Sequence, residues 1–130
     1  MSQNDLPRVS FGDNGATVLG LRLDRYRSNG ALAVMADLQW GDGEVEPRNP
    51  VSMNLDHDDN DYASRKLQDG EFYAKSYSEG ERLFNALIAC GWIEVCGEPA
   101  RSGFVRLARC RLTPKAVILS DASKPLVPSN

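Results

Sequence analysis

Two apolar segments that alternate with period two, joined by an Asn-Gly pair, restrict the fold of this chain more than any other feature of its sequence. In "TVLGLRLDRY" the residues Leu19, Leu21 and Leu23 alternate with glycine or charged residues. After the Asn-Gly pair, "ALAVMADLQW" places an apolar residue at every second position from Leu32 to Trp40. Alternation of this kind indicates a strand with one buried face, and Asn-Gly is a typical hairpin turn. The sequence therefore predicts a long antiparallel hairpin.

Shorter segments predict the remaining strands. The Gly- and Pro-containing "GDGEVEPRNP" is typical of a loop, and we expect it to lead to a third paired strand in "VSMNL". A short aromatic strand follows in "EFYAKSY", and two more are predicted in "WIEVC" and "GFVRLARCRL", separated by a turn in "GEPARSG". The segment "AVIL" is a candidate for a short edge strand.

One segment, "SEGERLFNALIACG", has the pattern of an amphipathic helix. Ser78 is a suitable N-cap, and Glu81 completes a capping box three residues later. Gly91 is placed to end the helix in the left-handed conformation. The apolar stripe that we expect to face the sheet consists of Leu83, Phe84, Leu87 and Ile88.

The predicted fold class is α+β: an antiparallel β-sheet of about five to seven strands with one main α-helix packed on one face. A length of 130 residues suits a single domain, in which residues 1–8 and 120–130 are expected to be loosely ordered. No apolar run is long enough to cross a bilayer, and the N-terminus lacks the basic and apolar regions of a signal peptide. We therefore expect a cytoplasmic protein that does not contact a membrane.

Charge is distributed unevenly along the chain, whose net charge is −3. Residues 37–81 carry twelve acidic and four basic residues, a net of −8, whereas residues 82–130 carry three acidic and seven basic residues, a net of +4. Such asymmetry suggests a charged partner, unless folding brings opposite charges together. The acidic whole argues against direct nucleic-acid binding. Arg109 and Arg111 share one face of their predicted strand, and we expect arginines of this strand to pair with the acidic segment.

The segment "NLDHDDNDY" contains four aspartates and the only histidine of the chain. It does not match an EF-hand calcium loop, because a loop starting at Asp56 has Asp61 where glycine is needed and Leu67 where the bidentate glutamate is needed. His57 is a poor general base, because the neighbouring carboxylates favour its charged form. The segment is therefore either a solvated loop or part of an anionic surface.

No motif predicts catalysis or a cofactor. The chain has no G-x-S-x-G elbow, Walker loop or dinucleotide fingerprint. Its three cysteines, Cys90, Cys96 and Cys110, lack zinc or redox spacing, and we expect them to be reduced packing residues. We therefore predict a non-enzymatic protein with no cofactor and no metal.

An anionic surface would resemble the phosphate backbone of a nucleic acid and would attract a groove lined with lysine and arginine. Tight interfaces usually also contain an aromatic anchor, and the candidates here are Trp40, Tyr62, Tyr73 and Tyr77. The predicted partner-binding residues are Asp42, Glu44, Glu46, Asp56, Asp58, Asp59, Asp61, Tyr62 and Asp69.

From Asn54 onward, the order of features resembles a family of small plasmid- and phage-borne proteins of unknown function. That pattern has a strand ending in Asn-Leu, an acidic-aromatic strand, a Lys-x-Tyr-Ser-Glu start to an apolar helix ending at glycine, and a Ser-Gly-Phe-Val strand. The chain departs from it at Gly80, where a better helix former is expected, and in residues 56–66, which are extra length. The matching positions are Asn54, Leu55, Glu71, Phe72, Lys75, Tyr77, Ser78, Glu79, Gly91, Ser102, Gly103, Phe104 and Val105.

The resemblance supplies no catalytic residues, but it implies residence on a mobile element. Small acidic proteins from that source often inhibit bacterial defence systems, as anti-CRISPR proteins do. The resulting hypothesis is a non-enzymatic inhibitor in the host bacterial cytoplasm that binds a host protein or nucleoprotein complex, such as a CRISPR effector, through the acidic region. The alternative is an accessory or regulatory protein of a plasmid or phage that acts by protein binding or self-association. We expect a monomer or a homodimer formed by edge-strand pairing.

Overall fold

Ten strands and one α-helix are formed by the part of the chain that the structure describes. The computed structural model describes residues 6–11, 14–27, 30–54, 67–68, 70–77, 80–102 and 105–122. The first sheet contains β1 (Arg8–Phe11), β2 (Asn14–Arg25), β3 (Leu32–Trp40), β4 (Val45–Pro50) and β10 (Ile118–Asp121). The second sheet contains β5 (Ser52–Met53), β6 (Glu71–Ala74), β7 (Ile93–Val95), β8 (Ala100–Ser102) and β9 (Val105–Leu112). The helix is α1 (Glu81–Ala89).

The mainly antiparallel β-structure with a short helix agrees with the predicted α+β class, but there are more strands than the five to seven expected. Two of the extra strands come from segments in which the sequence predicts loops or turns. β4 lies in the predicted Gly- and Pro-containing loop, and β8 lies in the predicted turn "GEPARSG". The strands predicted in "EFYAKSY", "WIEVC", "GFVRLARCRL" and "AVIL" are confirmed as β6, β7, β9 and β10.

β2 and β3 form the long antiparallel hairpin that the alternation predicts. The alternating residues of β3 from Leu32 to Leu38 are buried, and Trp40 is half-buried. On the other side of β2, β1 pairs antiparallel at one end and β10 pairs parallel at the other. The hairpin is therefore the centre of the first sheet, whose order is β1-β2-β3-β4.

A β-bulge in β2 makes one detail of the predicted alternation wrong. The register with β3 shifts between Val18 and Gly20. A bulge sets two residues opposite one and so changes which side chains face inward. The buried residues of β2 are consequently Ala16, Val18, Gly20, Leu21 and Leu23, whereas Leu19 is only half-buried.

β4 forms in spite of its two prolines because it is the edge strand of the first sheet. Proline is tolerated at an edge, where its missing N–H costs no ladder hydrogen bond. The pairs Leu38–Glu46 and Ala36–Asn49 leave two residues of β4 opposite Asp37, so the ladder is irregular there. The Gly- and Pro-containing segment is thus an extended, bulged strand from Val45 onward.

Val51 carries the chain from the first sheet into the second. Its N–H donates to the carbonyl oxygen of Val34 at 2.9 Å, and its own carbonyl oxygen accepts from the N–H of Lys75 at 2.7 Å. β5 follows directly and pairs with β6. The strand predicted in "VSMNL" is therefore confirmed as a strand of two residues, and its partner is β6.

The second sheet is built around β9, with β6 on one side and both β7 and β8 on the other. One face of this sheet, the inner face of the first sheet and the helix enclose the main core. The largest fully buried side chains of this core are Phe72, Leu21, Leu87, Ile93, Val18, Val34 and Cys110. A smaller cluster of Tyr73, Ala100 and Leu107 lies apart from this core.

α1 packs its predicted apolar stripe against the core, where Leu83 and Leu87 are buried and Phe84 and Ile88 are half-buried. Its end is confirmed: Gly91 has φ of 82°, and the N–H of Trp92 donates to the carbonyl oxygen of Leu87 at 3.1 Å, as in a Schellman motif. Its start differs from the prediction.

The N-cap of α1 is Gly80, and no side chain makes a cap hydrogen bond there. Ser78 and Glu79 lie outside the described residues. The same is true of residues 1–5 and 123–130, which make up most of the two terminal stretches expected to be loosely ordered. None of the helical structure in the described ranges has the length and apolar character that crossing a membrane requires.

Candidate functional site

The turn between β3 and β4 carries the three predicted site residues that the structure describes. We call residues 40–46 the acidic hairpin. Asp42, Glu44 and Glu46 are all exposed. The other predicted site residues, Asp56, Asp58, Asp59, Asp61, Tyr62 and Asp69, lie outside the described residues.

Backbone hydrogen bonds hold the acidic hairpin in shape. The N–H of Trp40 donates to the carbonyl oxygen of Glu44 at 2.9 Å, and the N–H of Gly43 donates to the carbonyl oxygen of Trp40 at 2.8 Å. The Oδ1 atom of Asp42 accepts from the N–H of Glu44 at 2.9 Å. The hairpin therefore projects its carboxylates from a closed turn at the edge of the sheet.

Folding sorts the acidic segment into two groups. Asp37 and Glu71 pair with arginines, at Arg22 and Arg109 respectively. Within the described ranges, no ion pair involves the carboxylates of the acidic hairpin. The arginine pairing that the sequence predicts is therefore confirmed at Glu71, and three carboxylates at one strand edge make no ion pair with the described residues.

Asp37 is a buried carboxylate that sequence reasoning did not separate from its exposed neighbours. Its Oδ2 atom accepts from Nη2 of Arg22 at 2.8 Å and its Oδ1 atom from Nε at 2.9 Å. The N–H of Arg48, which has φ of 60°, also donates to Oδ1 at 3.1 Å. These bonds, chiefly those from Arg22, outweigh burial and lower the pKa of Asp37. Asp37 therefore fastens the bulge of β4 to β3.

The sequence contains a signal for this pair, although a weak one. The Asn-Gly pair predicts a hairpin between these two segments, and the register that forms places Arg22 opposite Met35, diagonal to Asp37. Diagonal cross-strand neighbours are within reach of a long side chain. Burial of the carboxylate also depends on the bulges on both flanks, which no local pattern predicts.

Glu71 and Arg109 form the corresponding pair on the second sheet. Nε of Arg109 donates to Oε1 of Glu71 at 3.0 Å, the N–H of Gln68 donates to the same oxygen at 2.8 Å, and Sγ of Cys96 donates to Oε2 at 3.5 Å. Burial acts to raise the pKa of Glu71, but these hydrogen bonds and the charge of Arg109 outweigh burial and lower it. Arg111 pairs with Glu94 on the same face at 2.5 Å, and both side chains are about half exposed.

A shallow groove of about 310 Å³ lies beside the acidic hairpin, between β4 and the start of α1. Trp40 and Leu38 lie at this groove on the β3 side, and Leu83 lies on the helix side. Glu46 and Lys75 also line it. The groove therefore combines apolar contact area with a carboxylate of the acidic hairpin.

Trp40 is the aromatic candidate that the structure places within the acidic hairpin. Tyr73 is 4% exposed and belongs to the smaller cluster. Tyr77 is half-buried, and its hydroxyl donates to Sδ of Met53 at 3.8 Å. Trp40 is half-buried, so part of its side chain is exposed to solvent.

The three thiols are not activated nucleophiles. Burial is the largest cause that raises the pKa of Cys90 and of Cys96, and it raises the pKa of Cys110 to about 12. Reactive cysteines have the opposite shift. Cys110 is buried and all three thiols are free, which agrees with their predicted role as packing residues. Over the ranges that the structure describes, no three His, Cys, Asp or Glu side chains cluster as a metal site would require.

The chain has no significant match among protein-family models, curated proteins or solved structures. The resemblance to mobile-element proteins thus stays a prediction.

Proposed function

We propose that this chain is a non-enzymatic, mobile-element-encoded inhibitor of a bacterial defence system, and that it binds a host protein or nucleoprotein complex through the acidic hairpin. One observation carries the proposal. Asp42, Glu44 and Glu46 are exposed and without ion pairs on a closed turn, whereas other acids of the same segment are neutralised by arginines.

Uncompensated charge at one edge favours a basic partner. The carboxylates of the hairpin make no ion pair with the described residues, and even a surface ion pair would contribute little to stability. Apart from the turn hydrogen bond of Asp42, they therefore have no evident folding role. Clustered carboxylates attract a surface lined with lysine and arginine and accelerate association. Proteins that hold nucleic acid have such surfaces. The hairpin is therefore suited to occupy or block a nucleic-acid groove.

Apolar contacts beside the charges supply the short-range part of the interface. Val45 lies between two carboxylates and is 45% exposed. Trp40 and the groove between β4 and α1 are adjacent. Interfaces typically combine a central apolar or aromatic anchor with a polar rim. In this proposal Trp40 is the anchor, and the carboxylates form the rim.

A pull-down from a bacterial lysate tests the proposal. Tagged wild-type chain is compared with a double variant, Glu44→Gln with Glu46→Gln, and captured proteins are identified by mass spectrometry. The expected result is capture of a defence nuclease or nucleoprotein by the wild type and its loss in the variant. Raising the salt concentration to about 1 M, where the Debye length falls to about 3 Å, should also release the partner.

A matched control variant distinguishes the effect of where the charges are removed from the effect of the change in net charge. Asp24→Asn with Glu94→Gln also removes two negative charges, from exposed residues elsewhere on the surface. This control should capture the partner as the wild type does. Equal loss in both variants would show that only net charge matters, and equal capture by all three would exclude the acidic hairpin as the contact.

The segment at residues 54–62 needs its own variant, in which Asp56, Asp58, Asp59 and Asp61 are replaced by asparagine. Loss of capture would indicate that the acidic surface includes this segment, whereas unchanged capture would favour the interpretation of the segment as a solvated loop. The inhibitory activity itself is measured with the captured nuclease: wild-type chain should slow cleavage of its target DNA, and an unaffected rate would refute inhibition even if binding is real.

A further inference from the structure

β7 ends the second sheet, and no other strand of the described ranges pairs with its outer edge. The N–H of Thr113 donates to the carbonyl oxygen of Trp92 at 3.0 Å, and the N–H of Cys96 donates to the carbonyl oxygen of Arg109 at 2.9 Å. Antiparallel strands alternate between residues that bond to the neighbour and residues that point away. Ile93 and Val95 therefore direct their N–H and C=O groups away from β9, and because Ile93 is only 1% exposed, the accessible groups are those of Val95.

One side chain of this edge, that of Val95, is both apolar and accessible. Val95 is 59% exposed, more than any other large hydrophobic residue of the described ranges. A groove of about 650 Å³ lies between β7, the end of α1 and residues 113–115. Ile88, Ile93 and Val95 line it. An outward backbone edge and an apolar groove thus lie side by side.

An exposed edge strand without proline, bulge or inward charge is a template for pairing with another strand. We propose that a second copy of this chain pairs with it, antiparallel, about a twofold axis at Val95. In this register each Val95 donates its N–H to, and accepts at its C=O from, the Val95 of the other copy, and the two exposed side chains meet. This inference does not rest on the acidic hairpin or on any inhibitory activity.

Charge selects this register over its nearest alternative. A twofold axis at Glu94 would place the two Glu94 carboxylates directly opposite each other, which is destabilising. An axis at Val95 places residue 98 of one copy directly opposite Trp92 of the other copy. Glu98 is exposed, and Lys115 lies along Gly91, next to Trp92. The twofold axis therefore forms the Glu98–Lys115 contact twice.

The contact is small, because β7 has three residues. Interfaces below about 1,200 Å² are typically weak and transient. We therefore expect a monomer–dimer equilibrium that depends on concentration.

Sedimentation velocity of the full chain, over concentrations from about 1 µM to about 1 mM, measures this equilibrium. Val95→Asp should raise the dissociation constant at least tenfold. Val45→Asp introduces the same change at the other exposed valine of an edge strand and should leave the constant unchanged. A monomer at every concentration, or equal effects of the two substitutions, would overturn the proposal.

A charge exchange tests the register without altering the apolar edge. Glu98→Lys and Lys115→Glu should each weaken the dimer by about fivefold, since each creates two like-charge contacts of modest strength. The double variant restores both contacts and should recover wild-type affinity. A double variant no tighter than either single one would exclude this register. Both positions are exposed, so this test remains decisive if Val95→Asp does not fold.

Discussion

The two sheet edges of this molecule differ in what they offer a partner, although each carries an exposed valine. On β4, Val45 is 45% exposed and lies among carboxylates, with Pro47, Pro50 and a bulge in the same strand. On β7, Val95 is 59% exposed in a strand without proline or bulge. Prolines, charges and bulges are the means by which edges are protected from strand pairing. The β4 edge therefore presents side chains to a partner, whereas the β7 edge presents the backbone N–H and C=O groups of Val95.

This difference shows that exposure of an apolar residue does not by itself define an interface. Each edge lies beside one end of α1, with Gly80 lining the groove near β4 and Gly91 lining the groove near β7. The helix thus separates two surfaces of different character. We propose a basic partner for the first surface and a second copy of the chain for the other.

The largest expected effect comes from removing the carboxylate of Asp37, which holds the edge strand β4 against β3. Asp37→Ala leaves the guanidinium of Arg22 and the N–H of Arg48 without their acceptor. We expect a loss of about 2–3 kcal/mol in the free energy of unfolding, measured by urea denaturation. Glu46→Ala, at an exposed carboxylate of the same strand, is the control and should change this free energy by less than about 0.5 kcal/mol. Equal effects would mean that Asp37 does not hold β4.

Acid should weaken the fold in the same direction, but less than that substitution. Asp37 and Glu71 both have a lowered pKa in the folded chain, so protonation favours the unfolded chain. Their stabilisation is fully present above the ordinary values of 3.8 and 4.5 and is lost as the pH falls through the folded values. The urea midpoint should therefore fall as the pH is lowered from neutrality to below these pKa values. The double variant Asp37→Asn with Glu71→Gln should show a flatter profile, and an identical slope would contradict this assignment.

The helix end beside β4 allows a prediction whose sign opposes helix propensity. In a helix interior alanine is favoured over glycine by about 1 kcal/mol, but Gly80 is the N-cap of α1, where glycine is preferred to alanine. A Cβ atom at Gly80 would also lie 2.6 Å from the carbonyl oxygen of Lys75, and such overpacking typically costs about 1–3 kcal/mol. Gly80→Ala should therefore reduce the thermal midpoint. Asn85→Ala, at an exposed position of the same helix, should leave it unchanged or raise it slightly, and stabilisation by Gly80→Ala would remove the packing argument.

The smallest effect is expected at the ion pair beside β7. Glu94 and Arg111 are about half exposed, and exposed pairs contribute little. Glu94→Gln should leave the urea midpoint unchanged within error. It should also leave self-association unchanged, because the register about Val95 keeps the two Glu94 side chains apart. A clear strengthening of the dimer by Glu94→Gln would instead indicate the register centred on Glu94.

Local pattern determined much of this fold. The alternation from Leu32 to Leu38 and the apolar stripe of α1 are periodic within one segment, and the burial of each follows from that period. The left-handed end of the helix at Gly91 depends on a residue type and its neighbours. The free packing cysteines and the arginine pairing with Glu71 were also predictable from residue chemistry.

Only the tertiary structure decided the bulge in β2, the strand at the prolines of β4 and the division of the acidic residues. Asp37 and Asp42 are chemically identical and five positions apart. One is 4% exposed and bound to Arg22, and the other is exposed on a turn. The difference comes from β2 and β4 on the two sides of β3, which are contacts made across the sheet. The sequence by itself therefore determined which segments are strands with a buried face, while the contacts between strands decided which carboxylates pair with arginine and which stay exposed.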